Sequence, residues 1–135
     1  MIFKEEKLIA LESLKALYED VGWYAYTQDI TRLQQACLQS LDVFSAWEED
    51  RLIGLVRTIG DGLTIVYVQD ILVLNAYQNR GIASMLMTQV LEKYRDVRQK
   101  VLLTEEAPDV RHFYEKHGFR SCDNGDLVAF AKLDQ

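Results

Sequence analysis

Cysteine is scarce in this chain: Cys37 and Cys122 are the only two. Two widely separated thiols cannot form the disulfide framework of a small secreted domain, so a reduced, cytoplasmic protein is expected. Histidine is as rare. His112 and His117 stand five positions apart on a predicted helix, which puts them on different faces, and no cysteine–histidine spacing resembles a zinc site. No metal is therefore expected. Positive charge is also in short supply: 15 Lys and Arg against 21 Asp and Glu give a formal net charge of −6. Without a basic excess the chain lacks the electrostatic footprint of a general nucleic-acid binder. No apolar run reaches the ~18 residues of a membrane-spanning helix. The opening residues 1–6 lack the basic, apolar and small-residue order of a signal peptide. Proline occurs once, at Pro108, and no repeat, low-complexity tract or linker breaks the pattern. One domain over residues 1–135 is expected, long enough to bury a substantial core.

What is present is a succession of strand and helix patterns. Ile2–Lys4 reads as an opening strand. Leu8, Leu11, Leu14, Leu17 and Tyr18 recur at helical spacing until Gly22. Thr27 or Asp29 can cap a second helix running through Leu33, Ala36, Cys37, Leu38 and Leu41. Asp42–Glu48 and Leu52–Ile59 read as a hairpin around Glu49-Asp50-Arg51. The strand from Leu63 to Leu74 is apolar on both faces except at Asp70, which places it in the centre of a sheet. There follow a helix from Gly81 to about Tyr94, a strand Val101–Thr104 and a helix begun by Pro108 and stopped by Gly118. A hairpin of Phe119–Cys122 with Leu127–Lys132 is expected to close the chain. The order β-α-α-β-β-β-α-β-α-β-β describes an α/β (α+β) domain, a mixed central sheet with helices on both faces.

Residues 66–84 hold the most specific signal. A strand feeds a helix through a glycine-bearing turn, so the first amides of that helix lack partners and form, with the helix dipole, an anion site. Gly81 has no Cβ to keep a phosphate away, and Arg80 adds a guanidinium. A phosphate cradle and a plain strand–turn–helix stand level on these residues. There is neither the Gly-Lys-Ser/Thr of a Walker loop nor the three glycines of a dinucleotide fingerprint.

Gln78-x-x-Gly81-x-Ala83, after a strand ending Ile71-Leu72-Val73-Leu74, resembles the Gln/Arg-x-x-Gly-x-Gly/Ala signature of the GNAT (GCN5-related) N-acetyltransferases. Downstream, Phe113-Tyr114-Glu115-Lys116-His117-Gly118-Phe119 resembles that family's Phe-Tyr-x-x-x-Gly-Phe segment. The two matches stand roughly thirty residues apart, room for one helix and one strand. The resemblance covers most of the chain. It implies the GNAT fold, acetyl-CoA as cosubstrate and a small amine or peptide amine as acceptor. It also implies that Gln78, Asn79, Arg80, Gly81, Ile82, Ala83 and Ser84 hold the pyrophosphate, and that the backbone of Ile71, Leu72 and Val73 pairs with the pantetheine arm. A homodimer covering an exposed sheet edge is a further expectation. There is one departure: the family's asparagine at the start of the Phe-Tyr helix is replaced by Ala107 or, with a small shift, Asp109, and alanine offers no hydrogen bond. The alternative function is a non-catalytic acyl-CoA-binding sensor or regulatory module of the same fold.

Acetyl transfer to an amine requires a positioned thioester, an unprotonated amine and a proton for the departing thiolate. The resemblance implies Tyr114 as the proton donor; the other reading is that Phe113 and Tyr114 simply pack their helix. Asp70 is a carboxylate in an apolar strand, costly unless paired or placed at an opening. It reads equally as a base or amine anchor and as a structural partner of a backbone group or an arginine such as Arg57. Glu105 and Glu106 are alternatives whose plainer reading is an exposed loop. Trp23, Tyr24 and Tyr26 either cover the core edge or supply an aromatic wall for an amine substrate. Neither cysteine lies in a motif, so direct attack without an acyl-enzyme is expected.

Overall fold

A computed structural model describes residues 1–134. It divides into two compact units, Met1–Leu103 and a smaller one from Thr104 onward. In the first, β1 (Ile2–Glu5), β2 (Asp42–Glu48), β3 (Arg51–Gly60), β4 (Ile65–Val73) and β5 (Gln99–Leu102) form one sheet in chain order. All neighbours are antiparallel except β4 and β5, which are parallel. Tight turns join β2 to β3 and β3 to β4. A parallel partner needs a crossover, and α4 (Ile82–Lys93) provides it. The mixed sheet expected from the order of elements is thus the observed one.

Helices cover both faces. Gly54 marks the α4 face: a Cβ there would meet Ile82 Cγ2 at 3.2 Å and Leu86 Cδ1 at 3.3 Å, so α4 lies close on β3. Strand alternation turns Arg57 to the opposite face, toward Asp70. That side is layered by α1 (Leu11–Asp20), the one-turn α2 (Tyr24–Thr27) and α3 (Ile30–Leu38). α1 buries Leu14, Leu17 and Tyr18, and α3 buries Leu33 and Cys37. Asp29 caps α3 by accepting the Arg32 amide at 3.1 Å, while Thr27 ends α2. Val43, Leu55, Val56 and Val66 fill the sheet's two sides with no exposed surface. Each such side chain stabilises the fold by about 1.5–3 kcal/mol.

β4 carries one irregularity. Arg57 pairs with Asp70 and Thr58 with Val68, so Gln69 is an extra residue in β4, a bulge. The bulge breaks the alternation. Val68 shares the α4 face with Thr58, whereas Asp70 shares the opposite face with Arg57. β5 pairs only with Ile65–Val68. Beyond Val68 the outer edge of β4 has no strand beside it in this unit. β5 itself lies two residues earlier than the sequence pattern places it, because the parallel register on β4 selects Gln99–Leu102.

In the second unit α5 (Pro108–Lys116) has Pro108 in its first turn, and Gly118 follows its end at φ 90°. The hairpin expected from Phe119–Cys122 and Leu127–Lys132 does not form among the described residues, which contain no strand after β5. The turn chemistry explains this. Cys122–Asn124 closes as a 3-10 turn, with the Asn124 amide on Ser121 O at 3.0 Å and Ser121 Oγ on Asp123 Oδ1 at 2.5 Å. Such a turn lacks the mirror-image geometry that sets two strands in register. Gln135 lies outside the described residues. Among the others, no helix is long and apolar enough to cross a membrane, and no group of three or more His, Cys, Asp or Glu could hold a metal ion.

Candidate active site

The turn after β4 is braced by its own side chains. Asn75 donates its amide to Asp20 Oδ2 and its Nδ2 to Asp20 O, both at 2.7 Å, tying the turn to the end of α1. Gln78, the first residue of the glycine motif, donates Nε2 to Val73 O at 3.0 Å and to Asn75 Oδ1 at 3.1 Å. Its side chain holds the turn in shape. Asn79 and Gly81 then take left-handed conformations, φ 64° and 81°. Gly81 caps α4 without a side chain, and the first amide bonded within the helix is Met85, to Gly81 O at 3.0 Å. The amides of Ile82 and Ala83 have no carbonyl within the helix to meet. A Cβ at Gly81 would have nothing within 4 Å, so the cap opens onto free space that a phosphate can enter.

Two cations flank this turn. The Arg80 guanidinium stacks over the Tyr77 ring at 5.0 Å and that of Arg51, from the start of β3, over the same ring at 5.7 Å. In an acidic chain this gathers positive charge where an anion would sit. Arg51 and Tyr77 carry no sequence signal, because strand register alone brings the β2–β3 turn to the β4–α4 turn.

On the other face of β4, Asp70 is 3% exposed. Its Oδ2 accepts Arg57 Nε at 2.8 Å and Tyr18 Oη at 2.9 Å; its Oδ1 accepts Tyr26 Oη at 2.6 Å. The structure therefore pairs Asp70 with the arginine named in the structural reading and also links it to one of the three loop aromatics. Arg57 reaches Ser40 Oγ at 3.4 Å as well. Burial pulls the Arg57 guanidinium down, but the Asp70 charge raises it further, so it stays charged. Burial and the Asp70 charge push both phenols up, keeping them protonated. Burial also raises the neighbouring Cys37 thiol to about 11, far from a nucleophile's value.

Trp23, Tyr24 and Tyr26 do not share one setting. Tyr26 is half-buried, its ring 5.1 Å from Tyr18 and 6.2 Å from Trp23. Trp23 is 36% exposed and Tyr24 58%. The bulge residue Gln69 donates Nε2 to Tyr26 Oη at 3.1 Å. Tyr26 thus stands where β4 leaves β5. In the second unit, Tyr114 is half-buried among the rings of Phe113 and Phe119, 5.1 and 5.9 Å away, and shares a hydrogen bond with Thr104. Burial pushes its phenol up, so it holds its proton at neutral pH. Glu106 is taken up by Arg111 in a two-point ion pair at 2.5 and 2.8 Å.

A family model described as an acetyltransferase (GNAT) domain matches residues 39–121. The chain belongs to the GNAT acetyltransferases. It is 34% identical to a GNAT family acetyltransferase of Streptococcus pneumoniae TIGR4, with a TM-score of 0.87 over 99% of this chain and 98% of that one. A protein of the red alga Porphyra purpurea, described as the uncharacterized N-acetyltransferase ycf52, is 26% identical over 88% of this chain and 70% of its own length. The aminoglycoside acetyltransferase AAC(6')-Iy, solved with a CoA bisubstrate analog, shares the fold at a TM-score of 0.65 and 18% identity over 98% of each chain. The glycine-capped α4 lies on one face of the bulged β4. The aromatic loop lies on the opposite layer.

Proposed function

We propose that this GNAT protein transfers an acetyl group from acetyl-CoA to a primary amine by direct attack. The observation that carries the reading is the glycine-capped start of α4, open where a Cβ would stand and flanked by Arg80 and Arg51. Acetyl-CoA supplies the activated thioester. The amides at Asn79–Ser84 bind its pyrophosphate, with Gln78 holding the loop. The outer edge of β4 at Ile71, Leu72 and Val73 offers backbone groups to the pantetheine arm. Tyr114 is the proton source for the leaving thiolate, and the proton that the nitrogen sheds passes to water, from which the Tyr114 phenolate is reprotonated; the motif match and its protonated phenol support that role. Trp23, Tyr24 and Tyr26 form the wall of the acceptor side. We place the reaction in the cytoplasm, in keeping with two free thiols. A homodimer is part of the proposal, supported by the bare apolar side chains of Leu127, Val128 and Phe130.

Calorimetric titration with acetyl-CoA tests the reading. Saturable binding is expected, weakened at least ~10-fold in Arg80→Glu, where one cation at a phosphate site becomes an anion. A wild-type protein that does not bind acetyl-CoA would sink it. Tyr114→Phe is expected to bind acetyl-CoA normally and to lose turnover by about 100-fold or more.

A further inference from the structure

We propose that the Tyr26 phenol receives the acceptor amine, its oxygen accepting an N–H from the attacking nitrogen, and that Asp70 is a positioning residue acting through it. The proposal rests on the acetyl-transfer reading and goes one step further, to the atom that orients the nucleophile.

A phenol has one proton and two acceptor positions. The Tyr26 proton goes to Asp70 Oδ1 at 2.6 Å, and one acceptor position takes Gln69 Nε2 at 3.1 Å. One acceptor position remains, on a ring that is half-buried rather than enclosed. Tyr18, which donates to the other oxygen of the same carboxylate, has no exposed surface. Asp70 and Arg57 are likewise sealed, at 3% and 5%. Tyr26 is thus the member of the network that meets a ligand.

Three features suit it to the task. Donating to a carboxylate enriches the phenol oxygen and strengthens it as an acceptor. The Tyr18 and Trp23 rings fix its plane, so little is left to order when an amine arrives. Its partner Gln69 is the bulge at which β4 parts from β5, so the oxygen sits at the open edge proposed for the pantetheine arm.

Charge decides the form of amine. The groups facing Tyr26 are the Tyr18 ring from α1, Trp23 from the loop before α2, Arg57 from β3, and Gln69 and Asp70 from β4, and Arg57 neutralises Asp70 in a 2.8 Å pair. The cluster therefore attracts an N–H dipole more than a full ammonium charge. A neutral amine that donates one N–H to Tyr26 keeps its lone pair free for the thioester carbon.

The test is CoA release by wild type and Tyr26→Phe with butylamine, spermidine and a tripeptide with a free N-terminus. Acetyl-CoA titration and thermal melting are run alongside. The expected result is a loss of about 10- to 100-fold in kcat/KM for the amine, the size of one lost hydrogen bond to a polarised partner. Acetyl-CoA affinity should stay at the wild-type value, and Tm should fall only by the few degrees that one lost hydrogen bond costs. Asp70→Asn, which keeps an oxygen for Tyr26, should lose less amine kcat/KM than Asp70→Leu. Retention of activity within threefold in Tyr26→Phe overturns the assignment and leaves the acetyl-transfer reading standing, as does an equal loss of acetyl-CoA affinity. A wild type that binds acetyl-CoA but releases no CoA with any of the three amines overturns both.

Discussion

Asp42 and Asp70 are hidden alike, at 4% and 3% exposed, on opposite faces of one sheet, yet they are handled differently. Asp42 pairs with Lys93 Nζ at 2.8 Å and accepts from Tyr94 Oη. Lys93 is 40% exposed and also holds Glu5 at 2.6 Å. This cluster ties the end of α4 to β1 and β2 and can exchange its ammonium for water. Asp70 is held instead by a buried guanidinium and two phenols, one of which leads outward. A buried carboxylate beside a flexible, solvated lysine serves as a strut. One sealed by arginine, with a single half-buried phenol on its rim, is the one we propose to support a site.

The largest test of this contrast is removal of each carboxylate. Asp70→Ala strands Arg57 in the interior and should cost about 3–5 kcal/mol in urea unfolding. Asp42→Ala should cost only about 1–2 kcal/mol, since Lys93 can turn to water and keeps Glu5. Equal losses would erase the distinction.

Titration separates the clusters at opposite ends of the pH scale. Burial raises the Asp42 carboxyl, and Lys93 opposes this only in part. The folded state therefore holds the Asp42 proton more tightly than the unfolded chain. Its contribution is most favourable below the ordinary carboxylate value and declines as pH rises from there through the raised value. Asp42→Asn should flatten that acid-side slope. Tyr18 and Tyr26 are raised by burial and by Asp70. Their contribution is intact below the ordinary phenol value, about pH 10, and is lost as pH climbs above it. Tyr18→Phe should remove most of that alkaline slope, measured by urea unfolding across pH. A slope that stays put in both variants would assign it elsewhere.

Salt is the smallest lever. Raising NaCl to about 1 M should cost the Lys93 cluster less than ~1 kcal/mol, because its ion pairs are part-exposed, and Lys93→Met should abolish the effect. The Arg57–Asp70 pair, out of solvent, should not respond. Salt sensitivity that persists unchanged in Lys93→Met would assign it to the other surface pairs, such as Arg111–Glu106, and not to the Lys93 cluster.

The glycine-capped turn was legible because its requirement is local: a left-handed residue at a helix start, with the residue identity written at Gly81. The same holds for Asp29 and Pro108 at the starts of α3 and α5. Asp70 announced itself as a carboxylate in an apolar strand, and Arg57 was one of its named partners. Tyr26 was visible only as one of three loop aromatics. Its bond to Asp70 spans 44 positions and depends on the bulge at Gln69, a residue that looks ordinary in a strand. The closing hairpin misled, since Asp123-Asn124-Gly125 has turn residues that suit a 3-10 turn as well as a hairpin.

By itself, then, the order of residues determined the succession of strands and helices as far as α5, the mixed sheet and the glycine-capped turn, because period, capping and glycine conformation act over a few neighbours. Only the tertiary structure decided that Arg51 joins Arg80 over Tyr77, and that one of two buried aspartates reaches an open edge through a phenol. Those contacts follow from register and from a single extra residue in β4, which move side chains from one face of a sheet to the other without leaving a mark in local sequence.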